Sequence, residues 1–332
     1  MDPLVRKHLP PGWIDLAVGE AHVVRHAMQV AYGPSLFNLE GVADGCDYQA
    51  PEGYMPLVQA LEERYGDHVV ITSGAKQGLL AVFYALRKLG QTHLAMRSPY
   101  WSQMPEAIRL GGLGLHLSNE PTWGTSYLVV SPNNPDGHIT SVDEAHELQK
   151  KCDKLKTFLV HDAAYHTPVY VDDDRSLAGT TVYSASKMYG LSGLRVGWVV
   201  TDDERIAKLA SDYVEASTVG VSLLSQQILY NIVEHERLHP SEADTFHIMA
   251  RELLNKNKRL VQTLSPEVLD TSDMPEHGIF GWFKPGPKFN PELAQVRIPP
   301  GSAFGDSTRA RINLAIDNSL LSLAVERLNK LV

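Results

Sequence analysis

The sequence is short of cysteine, of long apolar runs and of positive charge. Cys46 and Cys152 are the 2 cysteines in 332 residues, too few for a disulfide framework. Neither has Cys or His neighbours at zinc-ligand spacing. The opening run MDPLVRKHLPPGWIDL has no apolar h-region, and no later run approaches membrane-spanning length. Lys and Arg number 30 against 39 Asp and Glu, a formal charge of −9. That balance argues against bulk attraction to nucleic acid or to an anionic membrane. Repeats and low-complexity tracts are missing too. The expectation is a cytoplasmic protein with neither nucleic-acid nor membrane partners. What is present is an ordinary globular composition, 43% hydrophobic, in a chain long enough for about two domains.

Short β-rich apolar runs alternate with helix-length segments. Strands are expected at Val69–Thr72, His93–Met96, Tyr127–Ser131, Thr157–His161, Thr181–Ala185 and Val196–Thr201. Helical spacing places Leu57, Val58, Leu61 and Tyr65 on one face of 54–66, and Leu79, Val82, Phe83 and Leu86 on one face of 75–90. Ser141 and Glu144 form a capping-box signature ahead of a helix over 142–151. This alternation reads as an α/β domain with a largely parallel sheet, whose ligands gather at the carboxyl ends of strands. A long helical stretch follows from Asp203 to about Glu236, with a break near Thr218–Ser222. His239-Pro240 interrupts the pattern before a helix over 243–263. Strands at Ile279–Lys284, Ala294–Ile298 and Ala310–Ile316 and a helix over 319–331 complete a smaller α+β tail, with 284–291 as a loop.

The residues that carry chemistry sit after the expected strands. The run SASK ends in Lys187 and is followed by Gly190, Gly193, Arg195 and Gly197. A lysine amine in such a tight loop suits Schiff-base chemistry, and a guanidinium eight residues on suits a phosphate. Taken alone, the same lysine reads equally well as an ordinary surface residue. Asp162 and Tyr165 close another strand, where an Asp is commonly a turn former. Asn134 lies in the turn-rich SPNNPDG, and Gly74, Ala75 and Lys76 join a strand to a helix whose amides suit an anion.

In this order and spacing the set resembles the fold-type I pyridoxal-phosphate enzymes of the aminotransferase class I/II group. Within it, SPNNPDG, HDAAYHTPVY, SASK…GLSGLRVGWVVTDD and STVGVSLLSQQ look like the alliinase and plant tryptophan aminotransferase branch. The resemblance implies a three-layer, mainly parallel large domain over 26–235 and a small α+β domain from 1–25 plus 236–332. It implies pyridoxal 5′-phosphate as cofactor and Lys187 as the Schiff-base lysine and proton shuttle. Asp162 would pair with the ring nitrogen, Tyr165 and Asn134 with the ring oxygen, and Trp101 (or Tyr100) would stack on the ring. The amides of Gly74, Ala75 and Lys76, with Ser184 and Arg195, would hold the phosphate. Tyr48 matches a tyrosine that reaches the partner subunit's phosphate, which implies a homodimer with shared active sites. Arg311 (Arg309 if the register is off) would grip the substrate carboxylate, with Asn134 and Gly19 on the substrate side.

The implied activity moves the amino group of an L-amino acid, with an aromatic one favoured, to a 2-oxo acid. Alternatives are a carbon–sulfur β-elimination lyase of the alliinase kind and a non-catalytic binding protein on the same fold. The segment after Tyr165 lacks the aromatics of the plant branch, GLSGLR is closer to the histidinol-phosphate aminotransferase style, and Lys76 stands where a neutral residue is more usual. Among Trp13, Tyr32, Phe37, Phe280, Trp282 and Phe304, one or two are expected to touch ligand and the rest to be core. The histidines His235, His239 and His247 lack metal-ligand pairing on one unbroken helix, and Asp172–Asp174 reads as a solvated loop.

Overall fold

The structure is a computed structural model and describes residues 9–37, 47–173 and 175–332. Cys46 and Asp174, and the side chain of Phe37, lie outside that description.

The chain begins with β1 (Ile14–Asp15), α1 (His22–Tyr32), α2 (Met55–Tyr65), β2 (His68–Thr72) and α3 (Ala75–Lys88). It continues through β3 (His93–Met96), α4 (Met104–Leu110), β4 (Gly114–Leu117), β5 (Ser126–Val130), α5 (Val142–Leu155) and β6 (Leu159–Asp162). Next come β7 (Thr180–Ser184), the single turn α6 (Ala185–Met188), β8 (Gly197–Thr201), α7 (Glu204–Thr218) and α8 (Leu223–Leu238). The last part holds α9 (Pro240–Val261), β9 (Leu269–Asp270), β10 (Phe280–Pro285), β11 (Val296–Arg297), β12 (Ala310–Asn313) and α10 (Asn318–Asn329).

Seven strands form the central sheet in the order β2-β8-β7-β6-β5-β3-β4. Neighbours from β7 to β4 are parallel, and β8 runs antiparallel to both its neighbours. Alternate side chains feed two cores. Val70 and Val199 pack with Leu79, Val82 and Phe83 of α3 on one face. Val69, Ile71, Trp198 and Val200 join the other, which also takes in Leu57 and Leu61 of α2. Burying a side chain such as Phe83 stabilises by roughly 1.5–3 kcal/mol, so these paired faces bind the helices to the sheet in three layers.

The six strands expected between Val69 and Thr201 hold to within one or two residues, and the capping box at Ser141 and Glu144 forms on α5. The break between α7 and α8 falls where it is expected, and Val219 there has a left-handed φ of 62°. Three readings need correction. The helix placed at 243–263 starts at Pro240, because proline at the first helical turn has no amide to satisfy. The strand at Ala294–Ile298 shrinks to Val296–Arg297, since it pairs with a β1 of two residues. The strand at Ala310–Ile316 stops at Asn313, whose side chain turns back to accept the Ala315 amide. The elements α1, α4 and β4 were not anticipated.

The two ends of the described chain meet. β1 pairs in parallel with β11, and Arg297 bridges Asp15 at 2.7 Å. A second sheet, β12-β10-β9, is antiparallel. α1 packs along α9. Residues 16–20, running from β1 to α1, are fastened by Asn313: its amide nitrogen donates to Val18 O and Glu20 O, and its backbone N–H to Leu16 O.

Candidate active site

Sheet register aligns the site. Thr72 and Ser184 both lie opposite Gly197, so the carboxyl ends of β2 and β7 stand beside the start of β8. Because β8 runs the other way, Arg195, just before it, reaches the same edge as the loops that follow β2 and β7. A cavity of about 490 Å³ opens there. Ala75, Lys76, Trp101, Asn134, Asp162 and Tyr165 line it. So do Ser184, Lys187, Arg195, Gly19 and Arg311. The sequence spreads these residues from one end to the other, and the fold brings them to one place.

On one side, the Ala75 and Lys76 amides that open α3 have no intrahelical acceptor, which suits an anion, whereas the Gly74 amide, also expected there, already donates to Thr72 O at 2.8 Å. Gly74, with φ 77°, carries no side chain to obstruct them: a Cβ there would lie 2.6 Å from the Arg195 guanidinium. A Cβ on Gly197 would fall 2.8 Å from the Ala75 nitrogen. The turn must therefore be glycine on both sides. Arg195 donates to Ser73 O and Ser192 O, at 3.1 and 3.0 Å. Ser184 Oγ accepts the Ser186 amide and so starts α6, which presents Lys187.

Asp162 ends β6 and is 6% exposed. Burial pushes its carboxyl up to about 6, against the Ala164 amide that donates to it at 3.2 Å. The loop that carries Asn134 is braced by its neighbours. Asn133 donates to Pro99 O and Asp136, Asp136 pairs with Arg97 at 3.0 Å, and Ser131 closes the turn on Thr140. The Asn134 Oδ1 then accepts from Arg311 Nη1 at 2.8 Å. Burial raises the Tyr165 phenol, with Arg311 opposing.

Arg311 comes from β12 and is 2% exposed. Its guanidinium lies between the rings of Phe280 and Phe304, 4.0 and 4.4 Å from their centroids. Its Nη2 donates to Ala17 O, while its Nε is buried without a hydrogen-bond partner. Burial lowers its pKa to about 9. The Lys187 amine donates to Gly19 O. Two cations of the site thus bind the same N-terminal segment.

Some expected residues fall elsewhere. Tyr48 is 89% exposed and borders a separate groove of about 500 Å³ with Thr218–Leu223. Tyr100 lies against Gly305 and Arg309 donates to Trp282 O, whereas Trp101 and Arg311 line the cavity. Phe280 lines the cavity; Trp282 meets the Phe304 ring edge-on, with centroids 5.6 Å apart, and Tyr32 hydrogen-bonds to Glu236. His235 meets Glu242 at 2.8 Å, Asp172 pairs with Arg251, and Asp173 with Arg175. Sequence reasoning missed Glu20, Ser186, Ser192 and Gln103 on the cavity wall. Glu20 accepts from Ser192 Oγ at 2.6 Å, a contact between distant segments that no local pattern reveals.

The family profile for aminotransferase class I and II matches residues 44–328. The chain belongs to this family. Its members depend on pyridoxal 5′-phosphate, and this chain is one of its aminotransferases. It is 24% identical over 323 residues to the aspartate/prephenate aminotransferase of Thermus thermophilus, covering 84% of this chain and 82% of the relative. It is 33% identical over 174 residues to tryptophan aminotransferase-related protein 2 of Oryza sativa, covering 48% of this chain and 33% of that one. The fold matches an aspartate aminotransferase from Thermus thermophilus, solved with maleate, with TM-score 0.79 and 21% identity over 96% of this chain and 92% of that one. Among the described residues no helix is long and apolar enough to cross a membrane.

The cavity fits the cofactor on its own evidence. A buried carboxylate with little company suits a protonated ring nitrogen, and a glycine-walled helix start beside Arg195 suits a phosphate.

Proposed function

We propose that this aminotransferase transfers the amino group of an L-amino acid to a 2-oxo acid, with Lys187 carrying the cofactor covalently. The observation that carries the reading is the meeting of Lys187, Asp162 and Arg311 in one cavity. When bound, pyridoxal phosphate supplies a carbonyl for the amine and a ring that accepts electrons from the substrate Cα. Asp162 then holds a proton on the ring nitrogen by its charge. The Ala75 and Lys76 amides with Ser184 and Arg195 would hold the phosphate, Trp101 would cover the ring, and Tyr165 and Asn134 would face its oxygen, while the expected Gly74 amide is already engaged by Thr72 O.

Arg311 binds the substrate carboxylate, with Asn134 and Gly19 beside it. Its buried Nε is the donor that a bidentate carboxylate completes. This would direct the Cα–H bond toward the Lys187 amine, which, once the incoming substrate amine has taken its place on the cofactor, would be free to take the proton from Cα and to hand it back. In doing so Lys187 leaves Gly19 O, and Arg311 exchanges Ala17 O for the substrate.

For the side chain, Phe280 and Trp101 and the tryptophan aminotransferase-related protein support an aromatic amino acid. A specific observation favours a second reading. Lys76 lines the cavity, held by Gln103 at 2.7 Å and 5.6 Å from the Trp101 ring centroid, where its ammonium suits an acidic side chain. A half-reaction screen of L-amino acids without acceptor tests both. A stoichiometric 2-oxo acid product is expected, whereas pyruvate and ammonia formed catalytically would overturn transamination.

Exposed Tyr48 beside the strained Val219 loop supports a homodimer in which it reaches the partner's phosphate site. Pairing of β1 with β11 supports a small domain of 1–25 plus 236–332 beside a cofactor domain of 26–235. The free, buried Cys152 thiol supports a reducing, cytoplasmic setting.

A further inference from the structure

Lys187 belongs to a helix of four residues, and the chain leaves that helix just beyond it. A continued helix would give the Lys187 carbonyl the amide of Leu191. That amide goes to Ala185 O instead, at 3.3 Å. Helix-end carbonyls stranded in this way need another donor when they are buried. The Tyr170 hydroxyl is that donor, 2.8 Å from Lys187 O.

Tyr170 is itself firmly placed. It is 4% exposed, and burial raises its phenol well above the ordinary value, so it remains a donor across the working pH range. Its amide donates to Thr167 O at 2.8 Å, and His277 Nδ1 lies 3.2 Å from its carbonyl. Its ring stands edge-on to Tyr165, with centroids 6.1 Å apart at 64°. It thus joins the main chain under Lys187 to the ring of Tyr165, which lines the cavity, without lining the cavity itself.

We infer that Tyr170 is a positioning residue for Lys187, fixing its main chain so that the amine moves on its side chain alone. The inference rests on the reading of Lys187 as the cofactor lysine. A neighbouring hydroxyl provides the contrast. Tyr189 donates to Glu236 at 3.0 Å, and Tyr32 and Arg64 donate to the same carboxylate at 3.1 Å each. That cluster ties α1, α2 and α8 to the segment after Lys187 without touching the Lys187 carbonyl. Tyr32→Phe therefore removes a comparable buried hydroxyl bond while leaving Lys187 alone.

The test compares holoenzyme of the wild type, Tyr170→Phe, which keeps the ring and its packing, and Tyr32→Phe. Borohydride fixation locates the cofactor-bearing lysine. The cofactor-stripped proteins are then mixed with pyridoxal 5′-phosphate, and visible absorbance gives the capture rate and its pH midpoint. Tyr170→Phe is expected to be labelled at Lys187, to capture more slowly with a displaced midpoint, and to lose about 10- to 100-fold in kcat with KM little changed. Tyr32→Phe should lower the melting temperature and leave capture, midpoint and kcat as in the wild type. Unchanged rates and midpoint in Tyr170→Phe would overturn the inference, as would an equal loss in Tyr32→Phe. A wild type with no adduct on Lys187 would overturn the underlying reading as well, and is told apart by the labelled peptide.

Discussion

Arg195 stands at the exposed edge of the cavity, held by two backbone carbonyls, whereas Arg311 is buried between two phenylalanine rings with one nitrogen unserved. In the proposed function both meet an anion, but on different terms. Arg195 keeps much of its hydration, so binding a phosphate there exchanges water for oxygen at small net gain. Arg311 has already lost its water, as its lowered pKa of about 9 records. A carboxylate reaching it recovers interaction that the fold has left open. On that proposal, anchoring and selection are divided between a solvated arginine and a desolvated one.

The strongest way to break this division is to remove the amine that shares the cavity with the two arginines. Lys187→Ala should retain pyridoxal phosphate on the remaining contacts but lose turnover by at least about 10⁴-fold. Full activity in that variant would end the assignment. Arg311→Ala comes next, with kcat/KM for amino acids expected to fall about 10²- to 10³-fold through two lost charge-assisted bonds. Amines lacking a carboxylate should be far less affected in the same half-reaction assay, and an equal loss for both would deny Arg311 its role.

Asp162 sharpens the comparison through pH. Its folded pKa of about 6 lies above the ordinary 3.8, so the folded protein holds this proton more tightly than the unfolded one. In the cofactor-stripped protein the contribution is fully present below about pH 4 and lost as pH rises through about 6, roughly 3 kcal/mol in all. Urea unfolding at several pH values should show that slope, and Asp162→Asn should flatten it. Bound cofactor, by placing a cation beside the carboxylate, should flatten it too. The smallest effect belongs to Arg195→Ala, expected to weaken cofactor binding about 10-fold by equilibrium titration while sparing amino-acid selectivity.

The phosphate side of the cavity was the more legible in sequence. Its residues flank β2, with the apolar run Val69–Ile71, and β8, with Trp198–Val200, and Gly190, Gly193 and Gly197 follow closely on Lys187. The opposite wall was harder to read. Glu20 matters through Ser192, and Gly19 through Lys187, contacts that exist only after distant segments meet. α1 escaped notice because Ala21 provides no side-chain cap, and β4 because its residues are exposed or half-exposed and give no apolar run. Tyr170 stood within a quoted motif, yet its bond to a main-chain carbonyl left no trace in residue type.

The pairing of β1 with β11 carries a consequence for synthesis on the ribosome. Everything on the phosphate side has been made once Gly197 emerges, and the central sheet receives its last strand with Thr201, four residues later. Arg311 is made much later, and residues 16–20, made near the start, must wait for β11 and β12 to capture them. The nascent chain therefore acquires a seat for the phosphate well before it can discriminate a substrate.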